Sequence, residues 1–209
     1  MTEAAAPPAR ARNRRGQGAR LREEIVQAAV DLLDETGDQH ALTLRSIARR
    51  AGIAAPSIYP HFPDQPAIML AVVRSAFDEL NTVLRAAVAA SADPVDRLRA
   101  ICTAYLGFAQ THPQRYRTMF GGVWVPTLGE SSITADDLGS LGDDSLALLA
   151  TALADCATAG HSTTTSPADD AIALWLGLHG LAHQRAVTAA FPWPTDIEDR
   201  VITALAHLR

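Results

Sequence analysis

Residues 43–62, TLRSIARRAGIAAPSIYPHF, decide how the rest of the chain is read. Thr43 can cap a helix by accepting hydrogen bonds from the free N–H groups of its first turn. Leu44, Ile47, Ala48 and Ala51 then share one helical face, while Arg45 and Arg49 sit one turn apart on another. Gly52 supplies the positive φ that a sharp reversal needs. A second short helix is expected over residues 55–59, with Ile58 inward and Pro56 in the first turn, where N–H groups lack helical partners anyway. The local pattern supports two readings: a helix-turn-helix whose second helix enters a DNA major groove, or an ordinary αα-hairpin. In the first, Ala55, Pro56 and Ser57 face bases, Tyr59 and His61 reach phosphates, and Thr43, Arg45 and Arg49 support them from the preceding helix.

The charge pattern bears on that choice. The net charge of −5 argues against general affinity for nucleic acid. Yet residues 1–22 carry six arginines (10, 12, 14, 15, 20 and 22) against Glu3, a local +5 that leaves −10 for the remainder, and the chain has no lysine. Residues 1–18 have the Ala, Pro, Gly and Arg composition of a disordered basic arm. Such an arm either follows the DNA backbone and minor groove or serves as a solubilising tail.

The 209 residues suffice for two modest domains, and 48% of them are hydrophobic. No apolar run approaches the roughly 20 residues of a membrane span, and no apolar segment backs the N-terminal arginines as in a signal peptide. Cytoplasm is the expected location, with no membrane partner. Cys102 and Cys156 form no CxxC pair and read as small buried hydrophobes.

Helical signals fill the rest of the chain. Leu21, Ile25, Ala28, Ala29 and Leu32 predict a helix over residues 19–36, stopped by Gly37. Asp64 as cap and Pro66 in the first turn open a long helix to about residue 90, able to link two domains. Asp93-Pro94 opens another, which Pro113 breaks, and a short helix over 114–120 leads into an irregular stretch. Residues 134–159 read as mostly helical, interrupted near Gly139 and Gly142. Ser166-Pro167 starts a helix to about 190 that is apolar nearly all round, so it needs two partners. Thr195 and Glu198 predict a capping box for a last helix, whose Ile197, Val201, Leu205 and Leu208 share a face. With no strand pattern, the fold class is all-α: an N-terminal three-helix DNA-binding domain and a C-terminal helical bundle.

In this arrangement the N-terminal part resembles the tetracycline-repressor (TetR) family of regulators. The residues that carry the likeness are the cap Thr43, the turn Ala51-Gly52, the segment 53–58, Tyr59-Pro60-His61-Phe62 and Asp64. The distal half resembles the WHG-type effector domain of some TetR regulators, through THPQRYRTMFG (111–121) and LWLGLHGLAH (174–183), with Trp175, His179 and Gly180 in a Trp-x-x-x-His-Gly pattern. The resemblance implies a basic arm at 1–18, a DNA-binding domain at 19–66 and a ligand-binding and dimerisation domain at 67–209. It further implies a homodimeric repressor on a palindromic double-stranded DNA operator, released by a small, largely apolar effector. Pro60, Pro63 and Gln65 stand where the family commonly has basic residues, and Ala54 replaces the usual cap of the recognition helix. Arg45, Arg49, Arg50 and the arm must then supply the phosphate contacts.

Tyr105, Phe108, Tyr116, Met119, Phe120, Trp124, Trp175 and His179 are the candidate ligand-binding residues, since together they give an apolar site with a few polar handles. Each also fits the core of a helical bundle. His179 and His183 have zinc-chelating spacing, but Gly180 stands where an HExxH enzyme carries its glutamate. They read as pocket or interface histidines, with no metal and no cofactor. No nucleophile-base pair or phosphate loop is visible, so no catalytic residue is assigned and an enzyme is not expected.

Overall fold

The computed structural model describes residues 17–122, 124, 126 and 128–209. The expected basic arm, apart from Gln17 and Gly18, lies outside the described residues. Among those described there is no strand, only one isolated bridge between Ser162 and Leu208.

The chain divides into two compact units. The first comprises residues up to Val72 together with Trp124–Thr134. Here α1 (Gln17–Thr36) is stopped by Gly37, and α2 (Leu44–Arg50) is followed by a single 3-10 turn, Ala55–Ser57. The expected short helix at 55–59 is thus not α-helical. Pro56 and Pro60 have no N–H to donate, and Ala54 offers no side-chain cap. The turn still places Ile58 inward: it is fully buried with Ile25, Ala29, Leu42, Ile47 and Phe62.

The long helix α3 (Gln65–Ala89) begins at the expected cap, Asp64, whose Oδ1 accepts the Ala67 N–H at 2.8 Å. Ile68, Met69, Ala71 and Val72 pack into the same core as Ile58. That packing moves the division between units from the expected 66/67 to after Val72, inside α3.

The second unit holds the rest of α3 and six further helices: α4 (Pro94–Thr111), α5 (Pro113–Phe120), α6 (Ala135–Gly139), α7 (Asp143–Thr158), α8 (Pro167–Val187) and α9 (Ile197–Leu205). Asp93 caps α4 through the N–H groups of Val95 and Asp96, as its position before Pro94 predicts. The predicted helix over 134–159 is split into α6 and α7 at Gly142, whose φ is +86°. The core gathers Leu98, Cys102, Leu153, Cys156, Leu174 and Ile202, all at most 2% exposed.

Two expectations about the last helices need correction. Thr195 and Glu198 form no capping box: Asp196 occupies the cap position but its side chain accepts from Arg200 Nε at 2.7 Å and caps no backbone N–H, and Glu198 accepts from Thr103 Oγ1 at 2.6 Å and pairs with Arg185. The best-buried residues of α9 are accordingly Ile202 and the following Ala206, with Ile197, Val201, Leu205 and Leu208 at the margins. Gly177 permits a close approach within one chain, since a Cβ there would meet Leu205 Cδ1 at 2.4 Å and Val201 Cγ1 at 3.3 Å. Gly180, by contrast, faces open space.

Candidate functional site

The candidate reading head, residues 43–62, is built from a capping box and a reversal. Ser46 N–H donates to Thr43 Oγ1 at 3.1 Å, Thr43 N–H donates to Ser46 Oγ at 2.9 Å, and two orphan donors at the start of α2 are satisfied. At its other end Ile53 N–H reaches back to Ala48 O and Gly52 N–H to Arg49 O, a Schellman reversal closed by Gly52 at φ +66°. Arg45 and Arg49 emerge exposed and form no ion pair among the described residues. Arg50 does not join them, because Glu35 of α1 holds it in an ion pair. Beyond the reversal Tyr59 is 58% exposed, while Ala55, Ser57 and His61 are half-buried and Pro56 is exposed. Arg22 lies over the Phe62 ring at 4.6 Å, which fixes α1 against the segment that carries Tyr59 and His61. Thr43 thus acts at the N-terminus of α2, and the other candidate DNA contacts cluster around the reversal.

The second unit contains an apolar cavity of about 130 Å³ among α3, α4, α7 and α8. Tyr105, Phe120 and Trp175 of the sequence-predicted set line it. Two more sit directly behind: Tyr116 Oη is 2.6 Å from His179 Nδ1 and 3.2 Å from Tyr105 Oη, and Tyr105 Oη is 3.4 Å from His179 Nδ1. Burial, then the charge of His183, hold His179 below the usual histidine range. Burial pushes both tyrosines up. The cluster is therefore neutral at pH 7.

Three predicted residues are not brought to the cavity. Phe108 stacks on His112 with centroids 4.8 Å apart, Met119 packs at the edge of the core, and Trp124 packs against the core of the first unit. Trp124 follows Gly121-Gly122, where the chain leaves α5 and joins that unit. The walls that sequence reasoning missed are Phe77, Leu80 and Leu84 of α3 and Ser145 and Leu149 of α7. Their periodicity marks them only as core positions. No group of three or more metal-ligating side chains exists among the described residues, and burial pushes the Cys102 thiol up to about 12.

Comparisons agree with this geometry. Residues 25–72 match the family profile described as "Bacterial regulatory proteins, tetR family", and residues 98–208 match "Tetracyclin repressor-like, C-terminal domain". The HTH-type transcriptional activator FasR of Mycolicibacterium smegmatis is 33% identical over 104 residues, 50% of this chain and 47% of FasR. The nucleoid occlusion factor SlmA of Pectobacterium carotovorum is 29% identical over 100 residues, 48% of this chain and 50% of SlmA. The chain thus spans about half the length of the curated relatives it matches. Among solved structures, a protein of unknown function from Rhodococcus sp. RHA1 superposes with a TM-score of 0.69 at 27% identity, covering 89% of this chain and 91% of that one. The regulator FadR of Bacillus subtilis, solved with stearoyl-CoA, gives 0.69 at 14% identity over 88% and 97% of the two chains, a likeness of fold. The helix-turn-helix, the helical second unit and both profiles agree: the chain belongs to the TetR family of DNA-binding transcriptional regulators.

Proposed function

We propose that this regulator is a homodimeric repressor released from a palindromic operator by a small, largely apolar effector. The observation that carries the ligand part of this reading is the apolar cavity lined by Tyr105, Phe120 and Trp175. A mostly apolar pocket with few polar groups is the usual make-up of a small-molecule site. In this reading Ala55, Pro56 and Ser57 read bases, and Arg45, Arg49, Tyr59 and His61 hold phosphates. Arg50, held by Glu35, contributes less. The helix α3, whose residues belong to both units, is the covalent path by which occupancy of the cavity reaches the reading head.

Dimerisation is supported by the outer face of α8. Ile172, Leu176, Gly180, His183 and Val187 follow one another at helical spacing and are all exposed, the three aliphatic side chains by 46%, 56% and 60%. Paired subunits would hold two reading heads about one DNA turn, ~34–36 Å, apart. An effector favouring another spacing would release the DNA, by an amount set by its differential affinity for the two states. The proposed activity is binding, with no catalysed reaction.

Footprinting on the promoter adjacent to the gene, followed by gel shift with and without candidate effectors, tests the reading. Repression predicts that deletion of the gene raises transcription from the footprinted promoter. The likeness to FasR favours a second reading as an activator, in which the same deletion lowers it.

A further inference from the structure

The effector's chemical class is inscribed in the cavity, given the reading of the second unit as an effector domain. We propose that the cavity takes an uncharged molecule of ring size that carries one hydrogen-bond donor, such as an alcohol or phenol, and that Ser145 accepts that donor.

Volume sets the size. A cavity of 150 Å³ lined by Leu, Ile and Phe holds benzene, so about 130 Å³ suits a ring or short branched chain of about six to ten non-hydrogen atoms.

The lining sets the charge. It contains no Arg, Asp, Glu or His, so a carboxylate or ammonium group would lose its hydration and gain no counter-charge. The nearest titratable cluster offers none either, since His179 is neutral and its Nδ1 is already hydrogen-bonded to Tyr116 Oη at 2.6 Å.

The polar lining sets the hydrogen-bonding sense. Ser145 Oγ donates its single proton to Asn81 Oδ1 at 2.6 Å, and Asn81 is only 5% exposed. A hydroxyl has one proton and two lone pairs. With the proton committed, Ser145 presents lone pairs to the cavity, and these reward a donor. A buried Asn81 bonded to a half-buried Ser145 beside Leu80, Leu146 and Leu149 is poorly explained by packing, because apolar residues of the same shape would serve there without a desolvation cost.

The test uses the full-length protein at pH 7.5 and isothermal titration with benzyl alcohol, toluene, benzyl methyl ether and sodium benzoate. Benzyl alcohol is expected to bind saturably at one site per chain. Toluene and the ether, lacking a donor, should bind about tenfold more weakly, the loss of one net hydrogen bond, and benzoate should not bind. Ser145→Ala should remove the preference for the alcohol and leave toluene unchanged. The wild-type comparison of alcohol with ether stands alone if that variant does not fold. Benzoate binding as tightly as the alcohol would overturn the uncharged class while keeping an effector site. Equal binding of alcohol, toluene and ether would overturn the donor assignment. If no probe binds to protein that melts cooperatively and shifts its operator, the cavity is not a ligand site, and the effector reading falls while DNA binding stands.

Discussion

The carboxylate of Asp64 ties together two backbone segments 68 residues apart: while Oδ1 caps α3 through Ala67, Oδ2 accepts the N–H of Ser132 at 2.7 Å. Ile133 beside it is buried, and Trp124 packs on the core of the first unit, to which both belong.

Replacing Asp64 by Ala removes a helix cap and leaves the Ser132 N–H without its acceptor. The expected loss is about 1–2 kcal/mol, from ~1 for the cap and ~0.5 for the bond to the exposed Ser132 N–H, which water replaces in part. Thermal unfolding should show a fall in Tm, and Asp64→Asn, which keeps an acceptor, a smaller one. Burial is the largest single influence on this carboxyl and raises its pKa, but the bonds from Ser132 and Ala67 together outweigh it and leave the value lowered. Stability from the charged form is then fully present above the ordinary carboxylate value of 3.8 and lost as pH falls through the lower folded value. Acid unfolding of Asp64→Asn should lack this component.

Much of this was legible in the sequence for a physical reason: caps and reversals are local. Thr43, Gly52, Asp64 and Asp93 each act within four residues, and each does what its position predicts. Long-range choices were not legible. Glu198 prefers Thr103 and Arg185 to its own helix cap, Trp124 joins the other unit's core, and Arg50 is taken by Glu35. In each case the deciding partner lies far away in the chain, where spacing carries no signal. The cavity walls on α3 and α7 were hidden differently, since an apolar helix face looks the same whether it meets a side chain or an empty space.

His179 should give a measurable pH dependence. Its folded pKa lies below the ordinary 6.5, so as pH falls from 6.5 through the folded value the unfolded chain binds the proton first and stability declines. Above 6.5 both states are neutral and the contribution vanishes. His179→Phe should flatten the stability profile between pH 5 and 7 in chemical denaturation, and an unchanged profile would assign the slope to other groups.

Among the described residues Arg45 and Arg49 form no ion pair, whereas Arg50 is engaged by Glu35. For a protein whose affinity rests on phosphate neutralisation, log K falls with log salt by about 0.9 per phosphate contact. Arg45→Ala and Arg49→Ala should each weaken operator binding and reduce the salt slope by about one, while Arg50→Ala should change it little. Deleting residues 1–16, which hold Arg10, Arg12, Arg14 and Arg15, tests the arm in the same titration. An unchanged slope would mean that it makes no phosphate contact.

Leu176 lies at the centre of the exposed stripe on α8, with Ile172 one turn before it and the bare backbone of Gly180 one turn after. A charge placed there meets water in a monomer but a desolvated, unpaired position in a dimer. Leu176→Glu is therefore expected to leave the thermal stability of the isolated subunit nearly unchanged and to shift the species seen by light scattering from dimer to monomer. Operator affinity should fall with it, since a single reading head gains nothing from the second half-site. A Leu176→Glu protein that remains dimeric would move the interface to another surface.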